Sequence, residues 1–215
     1  MTQPSMPLLP RRALALDFGR VLTLDPDKTT FDAVLRRLNI PAADFTRAWS
    51  AHREAYDRGL LDSWAYWKGV LTMCVQDLSD AKIQQLFSEL VEADFASWAV
   101  PRSDMHRVVQ AALDAQVPTA IVSNMPRGLG SQFVTAWPWL NRIPHRFFSA
   151  EIGLAKPDSN FYHHVLKQTG WAPQDVLFVD DMPANIETAD SLGFKTLLFT
   201  GVPKDLEIVR SWYRE

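Results

Sequence analysis

Ala13-Leu14-Ala15-Leu16-Asp17-Phe18-Gly19-Arg20-Val21 is a short apolar run that breaks on a carboxylate and then on a glycine. An uninterrupted apolar run predicts a strand buried on both faces, as in a parallel sheet covered by helices. In open parallel sheets ligands bind beyond the carboxyl ends of the strands, so Asp17 falls at that crevice. Gly19 lets backbone come close to a ligand there. A strand-ending Asp also serves as a plain turn former, so the weight of Asp17 depends on the rest of the chain.

Downstream, from residue 99, strands and helices alternate. Ser103 opens a helix to Ala115, Thr119 to Asn124 is a strand with a polar end, and Arg146 to Ser149 is a short strand. Asp158 caps a helix that stops at Gly170, Val176 to Val179 is a buried strand ending on Asp180-Asp181, and Pro183 to Leu192 is a helix before Gly193. Lys195 to Thr200 is the last strand. That alternation predicts an α/β fold, a doubly wound parallel sheet.

Between the first strand and this series lie four helical patterns. Thr29/Thr30, Pro41 or Asp44, Asp62 or Ser63, and Ser79 or Asp80 are the expected starts, and Gly59 ends the second. The expected organisation is a core of residues 11–22 plus 99–215, an inserted helical subdomain of residues 23–98 over the sheet's carboxyl edge, and a flexible tail at 1–10.

The 215 residues are 47% hydrophobic and carry a net charge of −3. That balance gives no electrostatic footprint for nucleic acid or a membrane surface. The single cysteine, Cys74, rules out an intramolecular disulfide and reads as a small hydrophobe on a helix. No apolar run reaches membrane-spanning length, and the proline-rich start lacks a charged region ahead of an apolar one. A cytoplasmic protein is expected.

Asp17, Ser123-Asn124 and Asp180-Asp181 all end predicted strands, and Lys156 in Gly153-Leu154-Ala155-Lys156-Pro157-Asp158 precedes a helix of the same half. One crevice then holds three carboxylates, a hydroxyl and an ammonium. Three close acids repel unless a cation joins them, and carboxylates with carbonyls and waters suit Mg²⁺. These four segments, in this order and with a helical insertion, resemble the haloacid dehalogenase superfamily, mostly phosphatases with an aspartate nucleophile. The resemblance implies a Rossmann-like core with an all-helical cap. It implies catalytic roles for Asp17 (nucleophile), Ser123 (holding a phosphoryl oxygen) and Lys156 (neutralising charge). Gly19 and Asn124 would contact substrate, and Asp17, the Gly19 carbonyl, Asp180 and Asp181 would hold Mg²⁺, with Asp180 the direct ligand of the pair. The implied activity is Mg²⁺-dependent hydrolysis of a small phosphorylated metabolite, with a sugar phosphate among the options, through an aspartyl-phosphate.

The match departs at one place. The common phosphatase pattern has a second Asp two residues after the nucleophile, where this chain has Gly19. An acid–base group is worth roughly 10²–10⁴ in rate. A good leaving group, a cap residue (His52, Glu54 or Asp57), a metal-independent 2-haloacid dehalogenase, or a catalytically impaired binding or regulatory protein would each account for it. Asp17-Phe18-Gly19-Arg20-Val21 is similar to the Asp-x-Gly-Asn-Val of bacterial sugar-phosphate phosphatases, and the retained Asp180-Asp181 pair speaks against the dehalogenase. Trp49, Trp64, Trp67 and Trp98 are expected to pack the cap or face substrate. Arg20 and Arg127 flank strand ends, Asn185 is a partner for the acids or a helix-face amide, and His163/His164 read as surface or packing residues.

Overall fold

The structure, a computed structural model, describes residues 12–214; the expected tail at 1–10 lies outside them. Five strands, β1 (Ala13–Leu16), β2 (Thr119–Ser123), β3 (His145–Phe148), β4 (Val176–Asp180) and β5 (Lys195–Leu198), form one parallel sheet in the order β3-β2-β1-β4-β5. The chain builds outward from β1 on one side, then crosses back to build the other. The expected α/β, doubly wound, Rossmann-like sheet is therefore present.

Two-residue alternation along β1 decides how the sheet is covered. Leu14 and Leu16 enter one core, with Met105, Val108 and Val109 of a helix over Ser103–Asp114. Ala13 and Ala15 face the other way, onto Phe161, Tyr162 and Val165 of a helix over Ser159–Thr169. Small alanines on that face let the bulky aromatics of the second helix approach.

Between β1 and Ser103 the chain is helical: α1 (Asp32–Leu38), α2 (Ala42–Ala51), α3 (Arg53–Asp57), α4 (Ser63–Cys74) and α5 (Asp80–Trp98). They close on their own core, with Phe31, Phe45, Tyr66, Trp67 and Leu90 fully buried. Asp62 and Ser79 cap α4 and α5 by accepting the backbone N–H of Ala65 and Lys82. The first helical pattern begins differently from the expectation. Asp27, not Thr29 or Thr30, is the cap, and a 3₁₀ turn over Lys28–Phe31 precedes α1. The second pattern is two helices, because the backbone at His52 leaves helical geometry.

The segments entering and leaving this helical block run side by side. Thr23 bridges Pro101 antiparallel, and Leu24 N–H donates to the Val100 carbonyl at 2.9 Å. Two further helices, one over Leu129–Ala136 and one over Pro203–Trp212, fill stretches the sequence reading leaves without an element. Each starts next to glycine and proline, which read as loop. β3 ends at Phe148, with Ser149 opening a short helix, and β5 ends at Leu198. Among the described residues no helix is long and apolar enough to cross a membrane.

Candidate active site

Asp17 follows β1 directly, Ser123 is the last residue of β2, and Asp180 the last of β4. These neighbouring parallel strands end near one level, so Asp17 and Ser123 reach one cavity floor and Asp180 lies buried just beneath it. The cavity is about 430 Å³ and is lined by Asp17, Gly19, Ser123, Asn124, Lys156 and Asp181, among others. Every sequence-predicted site residue except Asp180 lines it.

Lys156 is the centre of the floor. Its Nζ lies 2.8 Å from Asp17 Oδ1 and 2.5 Å from Asp180 Oδ2, and its side chain is only 1% exposed. Asn124 holds the lysine in place, for its Oδ1 accepts the Lys156 N–H (2.9 Å) while its Nδ2 donates to the Lys156 carbonyl (2.8 Å). The expected substrate contact at Asn124 is thus joined by a role the sequence did not suggest. Burial disfavours the ammonium, yet Asp17 and Asp180 outweigh it and raise the Lys156 pKa. Asp17 moves up to about 6, through burial, with Lys156 opposing and Asp180 and Asp181 adding to the rise.

The two adjacent acids differ. Asp180 is fully buried, and both its oxygens are engaged: Oδ2 by Lys156, Oδ1 by the Met182 N–H (2.8 Å) and by Asn185 Nδ2 (2.9 Å). Asn185 is therefore a partner of the acids. Asp181 faces the cavity, and its Oδ2 accepts from Arg20 Nη1 at 3.1 Å. Burial raises its pKa, with Arg20 opposing. Arg20 also pairs with Asp25 and sits at φ 59°, a left-handed geometry in which Asn is strongly enriched. Asp17, Asp180 and Asp181 each offer an oxygen within 4.8 Å of the others.

The roof comes from the helical block. Trp49 and Trp98 line the cavity, stacked 6.3 Å apart, whereas Trp64 packs on Phe87 and Trp67 on Phe31. Trp98 also explains Gly19: a Cβ there would lie 3.1 Å from Trp98 Cζ3. Of the three candidate cap residues only Asp57 reaches the cavity; His52 and Glu54 are exposed. Beside it is Arg53, which sequence reasoning missed. The i, i+4 spacing from Arg53 to Asp57 was the available signal, but nothing in it says which way the pair faces. Arg53 Nε meets Asp57 Oδ1 and its Nη1 meets Asp94 Oδ1, both at 2.9 Å. Arg127 instead donates to the Ala150 carbonyl, and His164 packs edge-on against Phe147.

Residues 67–199 match the family model of haloacid dehalogenase-like hydrolases. The chain belongs to this family. Among curated proteins it is similar to a drimenol cyclase of Aspergillus calidoustus, 40% identical over 29% of this chain and 11% of that one. A sesquiterpene phosphatase of Aspergillus oryzae is 43% identical over 25% of this chain and 28% of that one. The chain thus spans under a third of either relative's length. Among solved structures, a family enzyme from Bacteroides thetaiotaomicron in a magnesium complex superposes with TM-score 0.68 at 17% identity, covering 89% and 95% of the two chains. The L-2-haloacid dehalogenase of Xanthobacter autotrophicus gives 0.64 at 18%, covering 91% and 80%. These likenesses establish the shared fold of a hydrolase family.

Proposed function

We propose that this hydrolase is a Mg²⁺-dependent phosphatase of a small phosphorylated metabolite, with the helical residues 23–98 as its cap. The observation that carries the reading is Lys156 Nζ between Asp17 and Asp180, on a floor shared with Ser123, Asn124 and Asp181. Asp17 attacks phosphorus and becomes an aspartyl-phosphate, which water then hydrolyses. Ser123 and the backbone at Asn124 hold phosphoryl oxygens. Lys156 neutralises charge as the bond to Asp17 forms, the main work in phosphoryl transfer.

The donor set fits a small, hard cation. Three carboxylates face one buried ammonium, with Arg20 at the rim, so the floor carries surplus negative charge before any phosphate arrives. Mg²⁺ takes oxygen ligands, keeping several waters, and would supply charge neutralisation for the transferring group. Asp17, Asp181 and the Gly19 carbonyl are the groups to hold it. This revises the sequence expectation for the acidic pair. Asp180 already accepts three hydrogen bonds and serves to orient Lys156, leaving the cavity-facing Asp181 as the metal carboxylate.

The sesquiterpene phosphatase relative and the magnesium complex of the Bacteroides enzyme support the same reading. The test is phosphate release from a panel of monoesters, sugar 1-phosphates and acyl phosphates, with Mg²⁺ and again with chelator. Metal-dependent release is expected. Halide release from 2-haloacids with no phosphate release would overturn the reading.

A further inference from the structure

Gly19 leaves the leaving oxygen without the acid that usually stands two residues past the nucleophile, and Trp98 occupies the space above it. Given the phosphatase reading, we propose that Asp57, carried by the helical block, is the general acid that protonates the leaving oxygen.

Three features of the geometry converge on Asp57. It lines the same cavity as Asp17, but is carried by the helical block rather than by a strand end. Its Oδ1 is fixed by Arg53 Nε, while Oδ2 makes no hydrogen bond among the described residues and is left for a ligand. Its backbone is fastened to the α/β core: Ser149 Oγ donates to the Asp57 carbonyl, and the turn at Gly59 is so close to Ala150 that a Cβ would lie 3.0 Å from the Ala150 carbonyl oxygen. An acid at the end of a five-residue helix is thereby tied to the α/β core that carries Asp17.

The charges around it supply the proton. Arg53 faces Asp57 from its own helix, Asp94 from α5, Tyr66 from α4 and Asp17 from β1. One guanidinium serves two acids, Asp94 buried and Asp57 half-buried, so only one of them is neutralised by it. Burial and the charges of Asp94 and Asp17 push Asp57 up to about 7 against the pull of Arg53. Arg53 cannot give its proton away: burial disfavours its charge, but Asp57 and Asp94 overcome this and raise its pKa.

The step balances. An Asp17 oxygen forms the new bond to phosphorus, the bond from phosphorus to the leaving oxygen breaks with its electron pair on oxygen, and that oxygen takes the Asp57 proton. In hydrolysis, water attacks phosphorus, gives one proton to Asp57 and releases Asp17 and phosphate. The cycle returns both carboxyls to their starting states.

The test is the first-turnover release of leaving group from two substrates, an alkyl phosphate and p-nitrophenyl phosphate, by wild type and Asp57→Asn. Alkoxide needs a proton and nitrophenolate does not. The alkyl substrate is expected to slow by about 10²–10⁴, and the nitrophenyl substrate by less than tenfold. Equal slowing of both, or of neither, overturns the assignment. Wild type provides a second readout that needs no variant. Its alkyl rate falls as pH rises through about 7 relative to its nitrophenyl rate, so superimposable pH profiles also overturn the assignment. If wild type cleaves neither substrate, nor any of the phosphate panel, the phosphatase reading falls and this proposal with it.

Discussion

Two cations line one cavity, Lys156 buried in its floor and Arg53 half-buried in the helical roof, and each lies between two carboxylates. On the floor Lys156 joins Asp17 and Asp180; on the roof Arg53 joins Asp57 and Asp94. The floor is built from the ends of adjacent strands and is completed by Asp181, which gives it room for a further cation. The roof is built from helices and completed by aromatic rings, with Arg53 lying 4.9 Å over Trp49 and 6.0 Å from Trp98. The same charge pattern therefore serves two ends. On the proposed reading, one wall gathers negative charge for a metal and a phosphoryl group, and the other, somewhat more exposed, stores a proton. The difference follows from the cation as well: a lysine meets both its acids through one compact ammonium, whereas the planar guanidinium meets its two through separate nitrogens and stacks on rings.

The largest effect that separates the walls is on stability. Lys156→Met leaves Asp17 and Asp180 buried without their cation, and loss of one partner of a buried pair costs roughly 3–5 kcal/mol. Urea unfolding at pH 7 in chelator is the measurement. The loss is expected to shrink at pH 5, where Asp17, already raised to about 6, binds a proton. An unchanged midpoint would mean that the floor is not held by its lysine.

A smaller effect belongs to the roof. Asp57 is raised to about 7, above the unfolded value of about 3.9. Between those values the folded state binds the extra proton, so wild-type stability from this group is full below about 4 and is lost as pH rises through 7. Asp57→Asn stays neutral throughout. Its melting temperature is expected to gain on that of wild type by on the order of 5–10 °C between pH 5 and 8, the equivalent of about 3 kcal/mol for the two pH units between 5 and the raised value of about 7. A gap that narrows with pH would break the contrast between the walls.

Most of the floor was legible in the sequence, for a physical reason. A buried parallel strand announces itself as an apolar run, and the first polar residue after it must lie at the carboxyl edge. Placing Asp17, Ser123 and Asp180 at that edge needed only the strand pattern, while their weight as a site came from all the segments together. Which of Asp180 and Asp181 faces the ligand was not legible, because it depends on the hydrogen bonds from Met182 and Asn185. The roof was far less legible. Arg53 and Asp94 are 41 residues apart, and they meet only because the fold brings the Arg53 side chain of α3 to α5. Asp57 stood among three candidates that only packing separates. The tryptophans behave likewise: Trp64 and Trp67 turn into their own bundle while Trp49 and Trp98 turn to the cavity. Gly19 was read as a missing acid, and its second meaning, contact with Trp98, required the fold.

The most direct measurement is turnover by Asp17→Asn in Mg²⁺ beside wild type, on whichever panel phosphate wild type cleaves best. Asn keeps the shape and removes only the nucleophile, so the loss is expected to be roughly 10⁴–10⁶-fold with the fold intact by circular dichroism. Retained turnover in a well-folded Asp17→Asn protein would contradict the account at its root.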